Sequence, residues 1–86
     1  MKFRLWVDPD ARAYARRLDV PTQERIRERL RELAADPLGN SKPLHNAGGR
    51  RSSRVGDYRI IFTIDQGRGR LNVLAIAPRG RAYRDL

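Results

Sequence analysis

The chain has 86 residues, 40% hydrophobic and 34% charged, which suits one compact domain over residues 1–86 and leaves no room for a second. It contains no cysteine and a single histidine, His45, so disulfide scaffolds, thiolate zinc sites, cysteine nucleophiles and a two-histidine nuclease are excluded. Nineteen Lys and Arg stand against ten Asp and Glu, a net charge of +9, and this excess points to a polyanionic partner.

Residues 2–7 alternate, with Phe3, Leu5 and Val7 on one face and Lys2, Arg4 and Trp6 on the other, the pattern of a half-buried strand. Trp6 is read as packing rather than base stacking. Asp8-Pro9 is a helix start, Asp8 serving as N-cap and Pro9 as the first helical residue. Ala11, Tyr14, Ala15 and Leu18 follow at helical spacing. Asp19-Val20-Pro21 breaks and restarts the chain, and Ile26, Leu30, Leu33 and Ala34 mark a second helix. Its polar face pairs Glu24 with Arg27, Arg25 with Glu28, Glu28 with Arg31 and Arg29 with Glu32, so it is read as a solvated, charge-compensated surface.

Residues 36–49, rich in Gly and Pro, form a loop that carries Lys42 and His45; a lone loop histidine is not taken as functional. Arg50–Val55 is expected as a polar strand exposed at the sheet edge. Gly56-Asp57 supplies a turn. In the strand Tyr58–Ile64, residues Tyr58, Ile60, Phe62 and Ile64 face one way and Arg59, Ile61 and Thr63 the other. Asp65–Gly69 is a hairpin loop, Leu71–Ala77 a central strand, and Pro78 its end. No apolar run approaches the ~20 residues that span a bilayer, and the first eight residues carry no long apolar stretch of the secretory kind. A cytoplasmic protein without membrane contact is the expectation.

The order is therefore β-α-α-β-β-β. Short links make the last three strands antiparallel neighbours, and two amphipathic helices cover one face of the antiparallel sheet, an α+β layer. The other face presents Arg59, with a basic tail beside it, and forms a plausible RNA cradle. Seventeen of the nineteen cations are Arg, whose planar fork matches phosphate oxygens. Composition bias of the kind a GC-rich genome imposes would account for a large share of that ratio. It does not explain why residues 50–86 hold nine cations and only three acids.

Two segments resemble a known family. Arg54-Val55-Gly56-Asp57-Tyr58-Arg59-Ile60-Ile61-Phe62 is similar to the signature strand pair of the RelE/ParE toxin superfamily. Ile76-Ala77-Pro78-Arg79-Gly80-Arg81-Ala82-Tyr83-Arg84 is similar to its closing motif, in which a tyrosine follows an arginine by four positions. The leading strand, paired helices and Asp36-Pro37 loop match in order, so the likeness spans nearly the whole chain.

The RelE branch implies a toxin of a type II toxin–antitoxin system that cuts messenger RNA on the ribosome. A ribose 2′-OH attacks the adjacent phosphate, giving a 2′,3′-cyclic phosphate and a 5′-OH, without a metal or other cofactor. The resemblance places Arg59 and Arg79 at the phosphate and Tyr83 at a base or as general base. Arg50, Arg51, Arg54, Arg81 and Lys42 then grip RNA or ribosomal phosphates. It also implies a cognate antitoxin, acidic and partly disordered, that folds on the toxin into a hetero-oligomer. Three departures stand out. Pro78 stands where many relatives carry His, Ser52 and Ser53 lie where the best-known branch has lysines, and the chain stops three residues after Tyr83. Other readings stay open: Arg59 could pair with Asp57 or Asp65, Arg54 could serve the turn, and Tyr58 suits the core better than a site. The ParE branch implies inhibition of DNA gyrase without cutting, and a decayed relative would bind RNA or ribosomes without catalysis.

Overall fold

The computed structural model describes residues 2–44 and 48–78. Its elements are β1 (Arg4–Val7), α1 (Pro9–Arg16), α2 (Val20–Ala35), β2 (Lys42–Pro43), β3 (Arg51–Val55), β4 (Tyr58–Asp65) and β5 (Arg70–Pro78). Both helices begin as the sequence dictates. Asp8 caps α1 by accepting from the Asp10 N–H, and Asp19 caps α2 by accepting from the Thr22 N–H, each with a proline in the first turn. These carboxylates satisfy N–H groups that no helical carbonyl can reach. The Thr22 hydroxyl also donates to Asp19, at 2.7 Å, and this bond chiefly holds the Asp19 carboxyl below its ordinary pKa.

The strands form one five-stranded sheet in the order β1-β5-β4-β3-β2. The three long strands are antiparallel neighbours, as expected. The first strand joins differently: β1 lies parallel to β5, Arg4 opposite Arg70 and Val7 opposite Val73, so the sheet is mixed. The loop expected over residues 36–49 contains the two-residue β2, paired antiparallel to β3. β3 is therefore not the sheet edge. Ser52 and Ser53 are buried, and β5 extends through Pro78, which lies opposite Tyr58. Gly56 adopts a φ of +58° in the two-residue link between β3 and β4, a conformation that side chains with a Cβ rarely take.

Both helices pack on one sheet face. Ala11, Ile26 and Leu33 meet Val55, Ile60, Phe62, Leu71, Val73 and Ile76 in the main core. Phe62, Ile60, Leu71 and Val73 have no exposed surface, and each such side chain contributes about 1.5–3 kcal/mol of burial. A bulge keeps β5 aimed correctly. Ile61 faces Ala75 and Phe62 faces Val73, leaving Leu74 unmatched. The extra residue shifts the alternation by one, so Leu71, Val73 and Ile76 all reach the same core. Tyr58 meets Tyr14 of α1 edge-on, ring centres 6.4 Å apart, which makes it a packing residue.

Candidate nucleic-acid interface

The sheet face away from the helices is set by the pleat and the register. Because cross-strand partners share a face, its residues fall in rows. Lys42, Ser52, Ile61 and Ala75 form one row. Arg54, Arg59 and Ala77 form the next. On the other side, Thr63 and Asn72 align with Trp6, and Asp65 and Arg70 with Arg4. Leu44 N donates to Arg50 O at 2.9 Å, which continues the β2–β3 register one step and brings Arg50 onto this face. The middle is apolar: Leu44 and Ile61 are buried against Ala75 and Ala77. The face is thus a small apolar floor ringed by Lys42, Arg50, Arg54, Arg59, Arg70 and Arg4, with Asp65 as the single acid in these rows.

Arg59 is half-buried beside that floor and donates from a terminal nitrogen to the Ser52 hydroxyl at 3.0 Å. Asp65, the more distant carboxylate considered for it, lies opposite Arg70 and pairs with Arg68 at 3.8 Å. Arg54 is exposed, and its Nε reaches Gly56 O at 3.3 Å. A cleft of about 550 Å³ opens at this corner, lined by Lys42, Ser52, Arg54 and Arg59, with Asn40 and Arg29 closing it from the loop and α2.

Arg51 does not join the cluster. It lies opposite Phe62 on the helix-covered side, where its guanidinium donates to the Ser41 hydroxyl at 2.8 Å and to the Ser41 carbonyl at 3.2 Å. Its neighbour Ser53 accepts from Arg29 at 2.9 Å and donates to Asn40 O at 2.8 Å. Arg29 also donates to Arg54 O at 2.7 Å, and Asn40 to Glu32 O and Asp36 O at 3.1 and 2.9 Å. This network ties α2, the 36–41 loop and β3 together, and so fixes the strand that carries Arg54. The sequence hid it. Arg29 does pair with Glu32, at 2.8 Å, and that helical spacing made it look like one more solvated ion pair.

The rest of the α2 reading holds in part: Arg27–Glu24 and Arg31–Glu28 pair at 2.7 and 2.8 Å. The cations of α2 are thus largely offset by their own helix, whereas those of the open face are not offset by its rows.

The chain matches the family model described as the ParE toxin of type II toxin–antitoxin systems over residues 7–83. It is 39% identical to the toxin RelE of Mycobacterium tuberculosis, the match covering 71% of this chain and 69% of that one. Its fold is similar to a chain of the RelBE2 toxin–antitoxin complex of M. tuberculosis, with a TM-score of 0.82, 25% identity, and coverage of 92% of this chain and 100% of that one. A chain of the archaeal RelE–RelB complex of Pyrococcus horikoshii gives a TM-score of 0.81 at 23% identity, over 94% and 99% of the two chains.

The chain belongs to the RelE/ParE toxin superfamily. It is a RelE-family toxin of a type II toxin–antitoxin system. In this toxin the signature segment Arg54–Phe62 is the β3–β4 hairpin, and it delivers Arg54 and Arg59 to the open face while burying Val55, Ile60 and Phe62 beneath the helices. Arg59, Arg54 and Lys42 meet at the cleft, and Arg50 lies on the same face. Ser52, at a position expected to depart from lysine, is buried as the hydrogen-bond partner of Arg59. Arg79, Arg81 and Tyr83, together with His45, lie outside the described residues.

Proposed function

We propose that this toxin is a ribosome-dependent mRNA endonuclease that inhibits translation. The observation that carries the reading is the open sheet face: an apolar floor for bases, ringed by cations for phosphates, on the side that the helices leave uncovered. In the proposed reaction a ribose 2′-oxygen attacks the adjacent phosphorus as the bond to the 5′-oxygen breaks, leaving a 2′,3′-cyclic phosphate and a 5′-OH. The 2′-OH proton passes to a base and the 5′-oxygen gains one. Negative charge builds on the phosphoryl oxygens, and a guanidinium already oriented by a hydrogen bond meets it without reorganising. Arg59, held by Ser52 at 3.0 Å, takes that role, and the family resemblance assigns Arg79 to the same phosphate.

Tyr83 stacks on a base or accepts the 2′-OH proton. A free Tyr has a pKa near 10, roughly three units from the working pH, so the proton-transfer role requires cations at the site to favour the phenolate. Arg50, Arg54, Arg81 and Lys42 hold the RNA or ribosomal backbone. Arg51 supports this only indirectly, by anchoring the loop before Lys42. The same charge makes an acidic, partly disordered antitoxin that folds on the toxin the fitting inhibitor, and the cytoplasm the place of action.

Primer extension on a message held by programmed ribosomes tests this. A cut inside the A-site codon, made by the wild type and lost by at least two orders of magnitude in Arg59→Ala, is the expected result. Growth arrest without any cut would refute it. The matching family model is that of ParE toxins, and that outcome would favour the second reading, inhibition of DNA gyrase, checked by supercoiling assay. Neither cutting nor arrest would leave a non-catalytic RNA-binding relative.

A further inference from the structure

The proposed active corner lies at the Arg54/Arg59 row, but the open face continues to the opposite end of the sheet. There β1 is an edge strand, and its open-face side chains are covered from one side only. Trp6, expected to pack, is 44% exposed. It stands in register with Asn72 and Thr63 and one row from Arg4 and Arg70. Among the described residues the side chains of Trp6, Thr63 and Asn72 make no hydrogen bond, and Arg70 Nε is buried with no acceptor. Arg4 reaches only the Arg68 carbonyl, at 3.2 Å. The one carboxylate in these rows, Asp65, is turned to Arg68, accepting from its backbone N–H at 3.2 Å.

An exposed indole beside two arginines and two unused polar side chains is chemically a stacking platform with phosphate and base-edge donors around it. It lies on the same face as Arg59, five residues along β5 from Ala77 to Asn72, or about 17 Å at the usual strand rise. We infer that Trp6, Arg4 and Arg70 form a second contact for single-stranded RNA, in which a base stacks on the indole and the flanking phosphates meet the two guanidiniums. The inference rests on the proposed RNA-binding role of the open face. It adds a site that holds the strand several nucleotides away from the reacting phosphate and so sets its direction across the sheet. An acidic peptide would satisfy the two arginines but would leave the flat, exposed indole face without a partner of matching shape, so RNA is the better occupant.

Trp6 is the only tryptophan, so its emission reports this patch alone. The test uses a fluorescein-labelled dodecanucleotide, fully 2′-O-methylated to prevent cleavage, titrated at low ionic strength. Oligonucleotide anisotropy is read with the labelled strand and indole emission with its unlabelled twin. The expected result is saturable binding with quenching of Trp6. Affinity should fall about 5–100-fold in Trp6→Ala, the usual reach of one base–aromatic stack, and should be largely kept in Trp6→Phe. Arg70→Gln should weaken binding and flatten its dependence on salt, and it serves as the test if Trp6→Ala loses its native circular dichroism.

Unchanged emission, with Trp6→Ala and Arg70→Gln binding as tightly as wild type, would overturn the inference while leaving Arg59-dependent RNA binding in place. Quenching by polyglutamate and not by RNA would overturn it in favour of a protein-binding surface. No binding of RNA to the wild type, by either signal, would remove the open-face reading itself and this inference with it.

Discussion

Arg54 and Arg59 face each other directly across the β3–β4 ladder, their Cβ atoms about 5 Å apart as in any such pair. Like charges so placed destabilise a sheet by roughly 0.2–1 kcal/mol. Arg54 offsets little of this, since among the described residues its one side-chain bond is the 3.3 Å contact to Gly56 O. Replacing it with Gln removes the repulsion, and replacing it with Glu turns the repulsion into attraction. The Glu variant should therefore gain about 0.4–2 kcal/mol, the exposed-pair range counted twice. For a domain of this size ~1 kcal/mol moves Tm by about 4–8 °C. Arg54→Glu should thus melt about 2–16 °C above wild type at 50 mM salt, with Arg54→Gln between them. The gain should shrink at 500 mM salt, where the Debye length falls to about 4 Å. RNA affinity should drop in the same variants, with the salt slope reduced by about 0.7 for one lost single-strand phosphate contact. Thermal unfolding by circular dichroism at both salts, beside RNA anisotropy, provides the assay. An Arg54→Glu protein that melts at or below wild type at low salt, or whose gain ignores salt, would show that this face carries no repulsion for a polyanion to relieve.

The network behind the cleft predicts that Ser53→Ala costs about 1–3 kcal/mol in urea unfolding, because it leaves the Arg29 donor and the Asn40 carbonyl short of a partner in a part-buried setting. Leu33→Ala, at a position only 1% exposed, should cost about 2–5 kcal/mol, whereas Leu38→Ala, 58% exposed, should stay within about 0.5 kcal/mol of wild type. Asp19 has a lowered folded-state pKa, set first by the Thr22 hydroxyl, so its contribution is present above the unfolded value and is lost as pH falls through the folded one. Asp19→Asn keeps a capping side chain but removes this titration. The stability difference between the two proteins, followed by denaturant unfolding from neutral pH to below about 4, should therefore narrow as the solution is acidified.

The parts of the fold that follow local rules were legible in the sequence. The Asp-Pro helix starts, the alternation of Tyr58–Ile64 and the Gly56 turn depend on neighbours in the chain, and the structure reproduces each. What escaped depends on distant partners. Nothing in Phe3–Val7 says that it will lie parallel to β5, and Lys42-Pro43 is too short to declare itself a strand, so β3 was read as an edge and Ser52 and Ser53 as exposed. The same limit applied at the site. Arg59 and Arg54 announced themselves through a motif, and Lys42 through its charge. Arg51 looked equivalent to Arg50, yet one step of the pleat sends it to the other face. Ser52 was noted only as a departure from lysine, and its role as the Arg59 partner needs the three-dimensional diagonal between strands. Trp6 shows a related limit: alternation gives the face a residue points to, and only the sheet order shows that it stands on an edge strand, 44% exposed.

The pairing of β1 with β5 also predicts an order of assembly. β3, β4 and β5 are joined by short hairpins, and such near contacts form early, whereas Arg4 and Arg70 must find each other across most of the chain, the kind of closure that slows folding. The strand synthesised first is thus completed last, after β5 has emerged. Until then Trp6 has no Asn72 beside it and the two ends of the basic face remain unjoined. A nascent chain from which β5 has not yet emerged therefore lacks the finished basic face.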